Sequence, residues 1–149
     1  MSKRELQLRL LFALVVAGKN AKFAREVIRK LFPAADRLLP FTKIKRKHTQ
    51  ETLGAWLRAA KAGNYGKLER AFGAVVHAKL DLTTCTPAIL EEIPGIGPKT
   101  SRFFILWTRP DALCAALDVH IRRWLRAKGH KSPKITPQSA KTYARLEAV

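Results

Sequence analysis

The chain predicts an all-α protein, and three observations carry that expectation. Apolar residues recur at three- and four-residue steps through most of the 149 residues, which is the period of a helix face. No segment reads convincingly as a strand. The gaps between periodic segments carry helix punctuation: Asn20, Thr86-Pro87 and Thr136-Pro137 are cap or cap-plus-proline starts, and Gly18 and Gly129 stand where helices stop.

Residues 5–17 read as a helix apolar on most sides, with Leu6, Leu10, Leu11 and Leu14 among its apolar residues, and such a helix is buried deep. Residues 20–32 read as a second helix, capped by Asn20, showing Phe23, Val27, Ile28 and Leu31 at helical steps and stopped by Pro33. Residues 33–48 read as loop with at most a short turn of helix. Within them Lys43-Ile44-Lys45-Arg46-Lys47-His48 is a basic run, either a solvated loop or one that touches phosphate through Lys45 and Arg46. Thr49 or Thr52 caps a helix to about Ala62, with Leu53, Trp56, Leu57 and Ala60 on one face. A turn at Gly63-Asn64-Tyr65-Gly66 leads to a helix over 67–78 that turns Leu68, Phe72 and Val75 inward. Two helices, 87–93 and 98–107, flank Pro94-Gly95-Ile96-Gly97, and Arg109-Pro110-Asp111 breaks the second. A further helix opens near Asp118 and runs to Lys128, with Ile121, Trp124 and Leu125 expected inward. A last helix covers 137–149. Trp56, Trp107 and Trp124 read as core residues, and so do Tyr65 and Phe72, although either of these two could stack on a base.

Length allows one domain, or two small lobes sharing a cleft. Lys and Arg number 29 against 11 Asp and Glu, for a formal charge of +18. That balance is unusual for a metabolic enzyme and expected for a nucleic-acid binder. The plainer readings are a basic soluble protein or a ribosomal-type RNA binder. Two cysteines, Cys85 and Cys114, exclude a four-cysteine iron–sulfur cluster and a disulfide framework within the chain. No His/Cys/Asp grouping suggests a catalytic metal. The apolar run Leu8–Val16, broken by Arg9, is too short for a membrane span, and Glu5 and Arg9 spoil a signal-peptide reading. The expectation is a monomer in the cytoplasm, or at the nucleoid of a prokaryotic or phage-infected cell, that meets no membrane.

The most informative segment is Leu90-Glu91-Glu92-Ile93-Pro94-Gly95-Ile96-Gly97-Pro98-Lys99-Thr100. Two glycines around one apolar residue turn the backbone tightly and leave N–H groups at the start of the next helix. Such a terminus is an anion site, and in so basic a chain the anion is a nucleic-acid phosphate. Downstream lies Leu117-Asp118-Val119-His120-Ile121.

These two segments resemble the helix-hairpin-helix DNA glycosylases, the superfamily that includes endonuclease III and the 8-oxoguanine glycosylases. Ile93-Pro94-Gly95-Ile96-Gly97-Pro98-Lys99-Thr100 is similar to the family's Leu-Pro-Gly-Val-Gly-Arg-Lys-Thr, and Leu117-Asp118-Val119-His120-Ile121 to its Val-Asp-Thr-His-Val. The opening helix, short turn and second helix fit the family's start. Thr136-Pro137 and Tyr143-Ala144-Arg145-Leu146-Glu147 look more like the compact 8-oxoguanine enzymes. The match is sharp over residues 87–125 and looser elsewhere. The iron–sulfur cysteines of endonuclease III are absent, and the family's last helix is expected to be missing.

The resemblance implies an all-helical, two-lobed fold with a central hairpin and a cleft between the lobes. It implies a flipped base read in that cleft and cut from its sugar, on double-stranded DNA carrying a damaged, modified or abasic nucleotide. Lys99 is the expected amine nucleophile of a bifunctional glycosylase with abasic-site lyase activity, its charge disfavoured by partial burial, the helix terminus and surrounding cations. Asp118 is the expected carboxylate that assists the amine or stabilises positive charge on the sugar. Pro94, Gly95, Ile96, Gly97, Thr100, His120, Arg122, Lys45 and Arg46 are the expected DNA contacts, with a monovalent cation at the hairpin. The rival reading is a non-catalytic helix-hairpin-helix module, in which Lys99 only touches phosphate and Asp118 only caps a helix.

Overall fold

The computed structural model describes residues 1–131 and 140–149. Among the described residues it is all helical: α1 (Lys3–Val15), α2 (Ala21–Leu31), α3 (Pro40–Thr49), α4 (Leu53–Ala59), α5 (Tyr65–His77), α6 (Pro87–Glu91), α7 (Pro98–Thr108), α8 (Val119–Ala127) and α9 (Ala140–Glu147). The Thr136-Pro137 start lies outside the described residues.

Helix α1 is the axis of the fold, packed against α2, α3, α5 and α7. It starts earlier than its apolar pattern does, because Ser2 and Glu5 form a reciprocal cap. The Ser2 hydroxyl accepts from the Glu5 N–H at 3.2 Å, and the Glu5 carboxylate accepts from the Ser2 N–H at 3.3 Å. Leu10, Leu11, Phe72 and Phe104 are fully enclosed in the main core, which draws on α1 to α7. Asn20 caps α2 as expected, accepting from Phe23 N–H at 2.8 Å.

Residues 40–49, expected as loop, are helix α3. Pro40 supplies the preset φ of a first helical position, and one narrow stripe, Pro40 and Ile44, is buried. Lys43 is not a free member of the basic run. Its ammonium donates to the Leu31 carbonyl at 2.8 Å and to Asp36 at 2.6 Å. Through that bond it holds the Asp36 carboxyl below its ordinary pKa. Arg4 donates to the carbonyls of Pro33, Asp36 and Leu38. The 33–39 stretch is thereby pinned to α1 and α3. The expected threonine caps of α4 do not form: Thr49 and Thr52 instead donate to the carbonyls of Lys45 and Lys47.

Helix α8 is capped as its sequence suggests. The Asp118 carboxylate accepts from Ile121 N–H at 2.9 Å, and Gly129, at φ +85°, closes the far end with His130 N–H on the Leu125 carbonyl. Its faces are not those expected. Leu125 is buried, with Arg122, while Ile121 and Trp124 are exposed, Trp124 by 56%. Leu125 belongs to a second, small cluster with Leu117, Tyr143 and Leu146. Trp107 is also partly exposed, edge-on to Phe12 with Arg9 over its ring. Both cysteines are free thiols, and burial pushes the pKa of each upward, so neither is an activated nucleophile. No described helix is long and apolar enough to cross a membrane.

Candidate nucleic-acid interface

The hairpin is held from both sides. Ile93 and Ile96 are buried and peg the turn to the core, and Ile93 N–H and Ile96 N–H donate to the Leu90 and Ile93 carbonyls. Gly95 has φ +92°, and a Cβ there would stand 2.8 Å from the Ala71 Cβ of α5. Only glycine lets the turn take this backbone and lie so close to α5. Gly97 is the opposite case. Its φ is −95°, it caps α7, and a Cβ there would meet nothing within 4 Å.

The base of the hairpin is a polar brace that sequence reasoning missed. Arg102 donates to Glu91 on α6 and, through Nε at 2.8 and 2.9 Å, to Glu147 on α9. Its guanidinium lies 4.4 Å from the centre of the Tyr143 ring. Fully buried Ser101 donates to Glu91 at 2.8 Å, and Glu147 accepts from Ala115 N–H. The Tyr143 hydroxyl donates to the Ala115 carbonyl at 2.9 Å and accepts from Leu117 N–H at 2.7 Å. Burial pushes its pKa up to about 12. The brace ties α6, α7 and α9 to the strand of chain leading into Asp118. Glu91, Arg102 and Glu147 lie far apart in sequence, and only their charges hinted at a pairing.

The hairpin also leaves a set of N–H groups without an acceptor. Gly97 caps α7 with backbone alone, and Pro98 has no N–H. Among the described residues nothing accepts from the N–H groups of Gly95, Gly97, Lys99 and Thr100. Pro94, Gly95, Gly97 and Lys99 are exposed and Thr100 half-buried. A tight turn with donors at a helix start can hold a phosphate oxygen. Ile96 is corrected in part: its side chain is buried and its N–H engaged, so only its carbonyl is left to meet anything outside. The carbonyls of Pro94, Gly95 and Ile96 have no backbone donor among the described residues.

The remaining expected residues divide. Lys99 is exposed at the second position of α7, not partly buried as a desolvated amine would be. Asp118 is half-buried, one carboxylate oxygen committed to the cap. His120 is exposed at the start of α8. Arg122 is buried, so it is not the surface cation expected; Arg123, one position on, is exposed. Lys45 and Arg46 are exposed on α3, a helix and not the loop expected. Lys45 lines a cavity of about 780 Å³ with Lys3, Lys79, Phe41 and Val76. Neither Lys99 nor Asp118 lines that cavity, and α7 packs chiefly on α1 and α6.

Comparison with protein-family models finds no match, and comparison with curated proteins and with solved structures finds none either.

Proposed function

We propose that the chain is a base-excision DNA glycosylase that grips the phosphate backbone through its hairpin. The observation that carries the DNA part is the exposed turn at residues 94–100, with its unclaimed N–H groups, in a chain of charge +18. The excision part rests on the sequence settings of Lys99 and Asp118. Lys99 would attack C1′ of the flipped nucleotide as the free amine, displace the base and form a Schiff base. β-Elimination would then cut the strand. Asp118 has one carboxylate oxygen left over from its cap, available to assist the amine or to face the cationic sugar. The substrate would be a duplex with a damaged, modified or abasic nucleotide, held by a monomer in a cleft between two lobes. A monovalent cation on the hairpin carbonyls would belong to the same grip, and the compartment would be that of the DNA, cytoplasmic in a prokaryote.

The exposure of Lys99 favours a second reading, a hairpin module that binds duplex without chemistry. Metal-free incubation with a panel of duplexes, each bearing one lesion or an abasic site, separates the two. The glycosylase reading expects release of one base class and strand cleavage at the abasic site. Tight binding to every duplex with no product on any would leave only the binding module.

A further inference from the structure

A hollow of about 530 Å³ opens directly beside the hairpin, lined by Pro94, by Arg70, Gly73, Ala74 and His77 of α5, and by His48 of α3. The two histidines are exposed and stand edge to face, ring centres 5.1 Å apart, with His77 Nε2 3.3 Å from His48 Nδ1. One N–H lies between the rings, which leaves His48 Nε2 and His77 Nδ1 for other partners. Gly73 leaves room for the arrangement. A Cβ there would stand 3.1 Å from His48 Cδ2 and Nε2, so the imidazole fills space that a side chain would claim. A glycine inside a helix costs about 1 kcal/mol relative to alanine, and here the space it frees seats His48 against α5.

Arg70 lines the same hollow. Glu69 does too, but its carboxylate leans toward Gly54 of α4, where a Cβ would lie 2.8 Å from Oε2. The other charged residues on α3 and α5 are Lys43, Lys45, Arg46, Lys47 and Lys67, with Glu51 just after α3, Lys79 just after α5, and Glu91 and Glu92 before the hairpin turn. No ion pair among the described residues engages either histidine. Lys45 sits three residues before His48, on the same side of α3, and lines the next cavity along.

We propose that this hollow is a second phosphate site, at which nucleic-acid backbone leaving the hairpin is held by His48, His77 and Arg70, with a grip that tightens as pH falls. The proposal rests on the hairpin reading above. A neutral imidazole offers one N–H, and a protonated one offers two and a charge. A phosphate at the outer nitrogens is held more firmly by protonated rings than by neutral ones, so binding takes up protons.

The test is anisotropy of a labelled, undamaged duplex at constant ionic strength, at about pH 8 and about pH 5.5, either side of the ordinary imidazole range. It compares wild type, the double variant His48→Gln/His77→Gln and the hairpin variant Gly97→Val, each checked for folding by circular dichroism. Wild type is expected to bind about tenfold more tightly at the lower pH, the worth of one charged hydrogen bond. The double variant is expected to lose most of that gain, its affinities at the two pH values lying close together. Gly97→Val should bind weakly at both pH values and keep the ratio. A double variant with the full gain would overturn the second site and assign the effect to His120 or His130. A Gly97→Val protein that binds like wild type would sink the hairpin reading alone, and the ratio would still decide the second site. A wild type that binds no duplex overturns both.

Discussion

Gly95 and Gly97 stand two residues apart and serve different ends. Gly95 combines φ +92° with a would-be Cβ contact of 2.8 Å, so Gly95→Ala should cost about 3 kcal/mol in chemical denaturation. Gly97 has open space and extended backbone before a proline, which β-branched residues accept. Gly97→Val should therefore cost only about 1 kcal/mol, the loss of a good N-cap residue, while weakening duplex binding, because its side chain meets an approaching phosphate. A Gly97→Val protein that is strongly destabilised would mean the turn packs differently. Asp118 has two duties that a single substitution separates. Asparagine caps a helix about as well as aspartate, so Asp118→Asn should keep its melting temperature. It should lose about 10²–10⁴-fold in single-turnover excision, with lesion binding equal or tighter. A loss below threefold would leave only the cap. The glycines, the Asn20 and Asp118 caps and the cap-plus-proline at Thr86 were legible because each is a local backbone matter. The exposure of Lys99 and the burial of Arg122 were not, since both depend on what the rest of the chain places nearby.

At the scale of elements, α3 shows where periodicity fails. A helix needs only one buried stripe, and Pro40 with Ile44 supplies it among so many cations that the segment reads as loop. Pro40 at the first position was the available signal. Helix α8 shows the reverse error. Ile121, Trp124 and Leu125 share an apolar arc, yet only Leu125 is covered, because the chain from Ala115 to Leu117 and helix α9 meet α8 on its Arg122–Leu125 side. The brace around Arg102 was out of reach of the sequence, its partners being 11 and 45 residues away. Arg102→Met should leave Glu91 and Glu147 without their cation and cost about 2–3 kcal/mol in urea unfolding. An unchanged midpoint would show that Ser101 and the Ala115 N–H suffice for the two carboxylates.

For the whole molecule, pH and charge give the broadest tests. Tyr143 is held neutral in the folded protein to about pH 12, against about 10 when unfolded. Its contribution is complete below pH 10 and is lost as pH rises toward 12, by at most about 1.4 kcal/mol per pH unit. Stability measured from about pH 9 to about pH 11 should thus fall more steeply in wild type than in Tyr143→Phe. Parallel curves would mean the hydroxyl is not buried as described. The excess of cations predicts duplex affinity that drops steeply with salt, but salt dependence alone does not tell an enzyme from a binder. Covalent chemistry does. Borohydride added to wild type on an abasic-site duplex should reduce the Schiff base and trap a protein–DNA adduct. Lys99→Gln should bind the same duplex and trap none. An adduct of equal yield from Lys99→Gln, or none from a wild type that binds the duplex, would contradict the account.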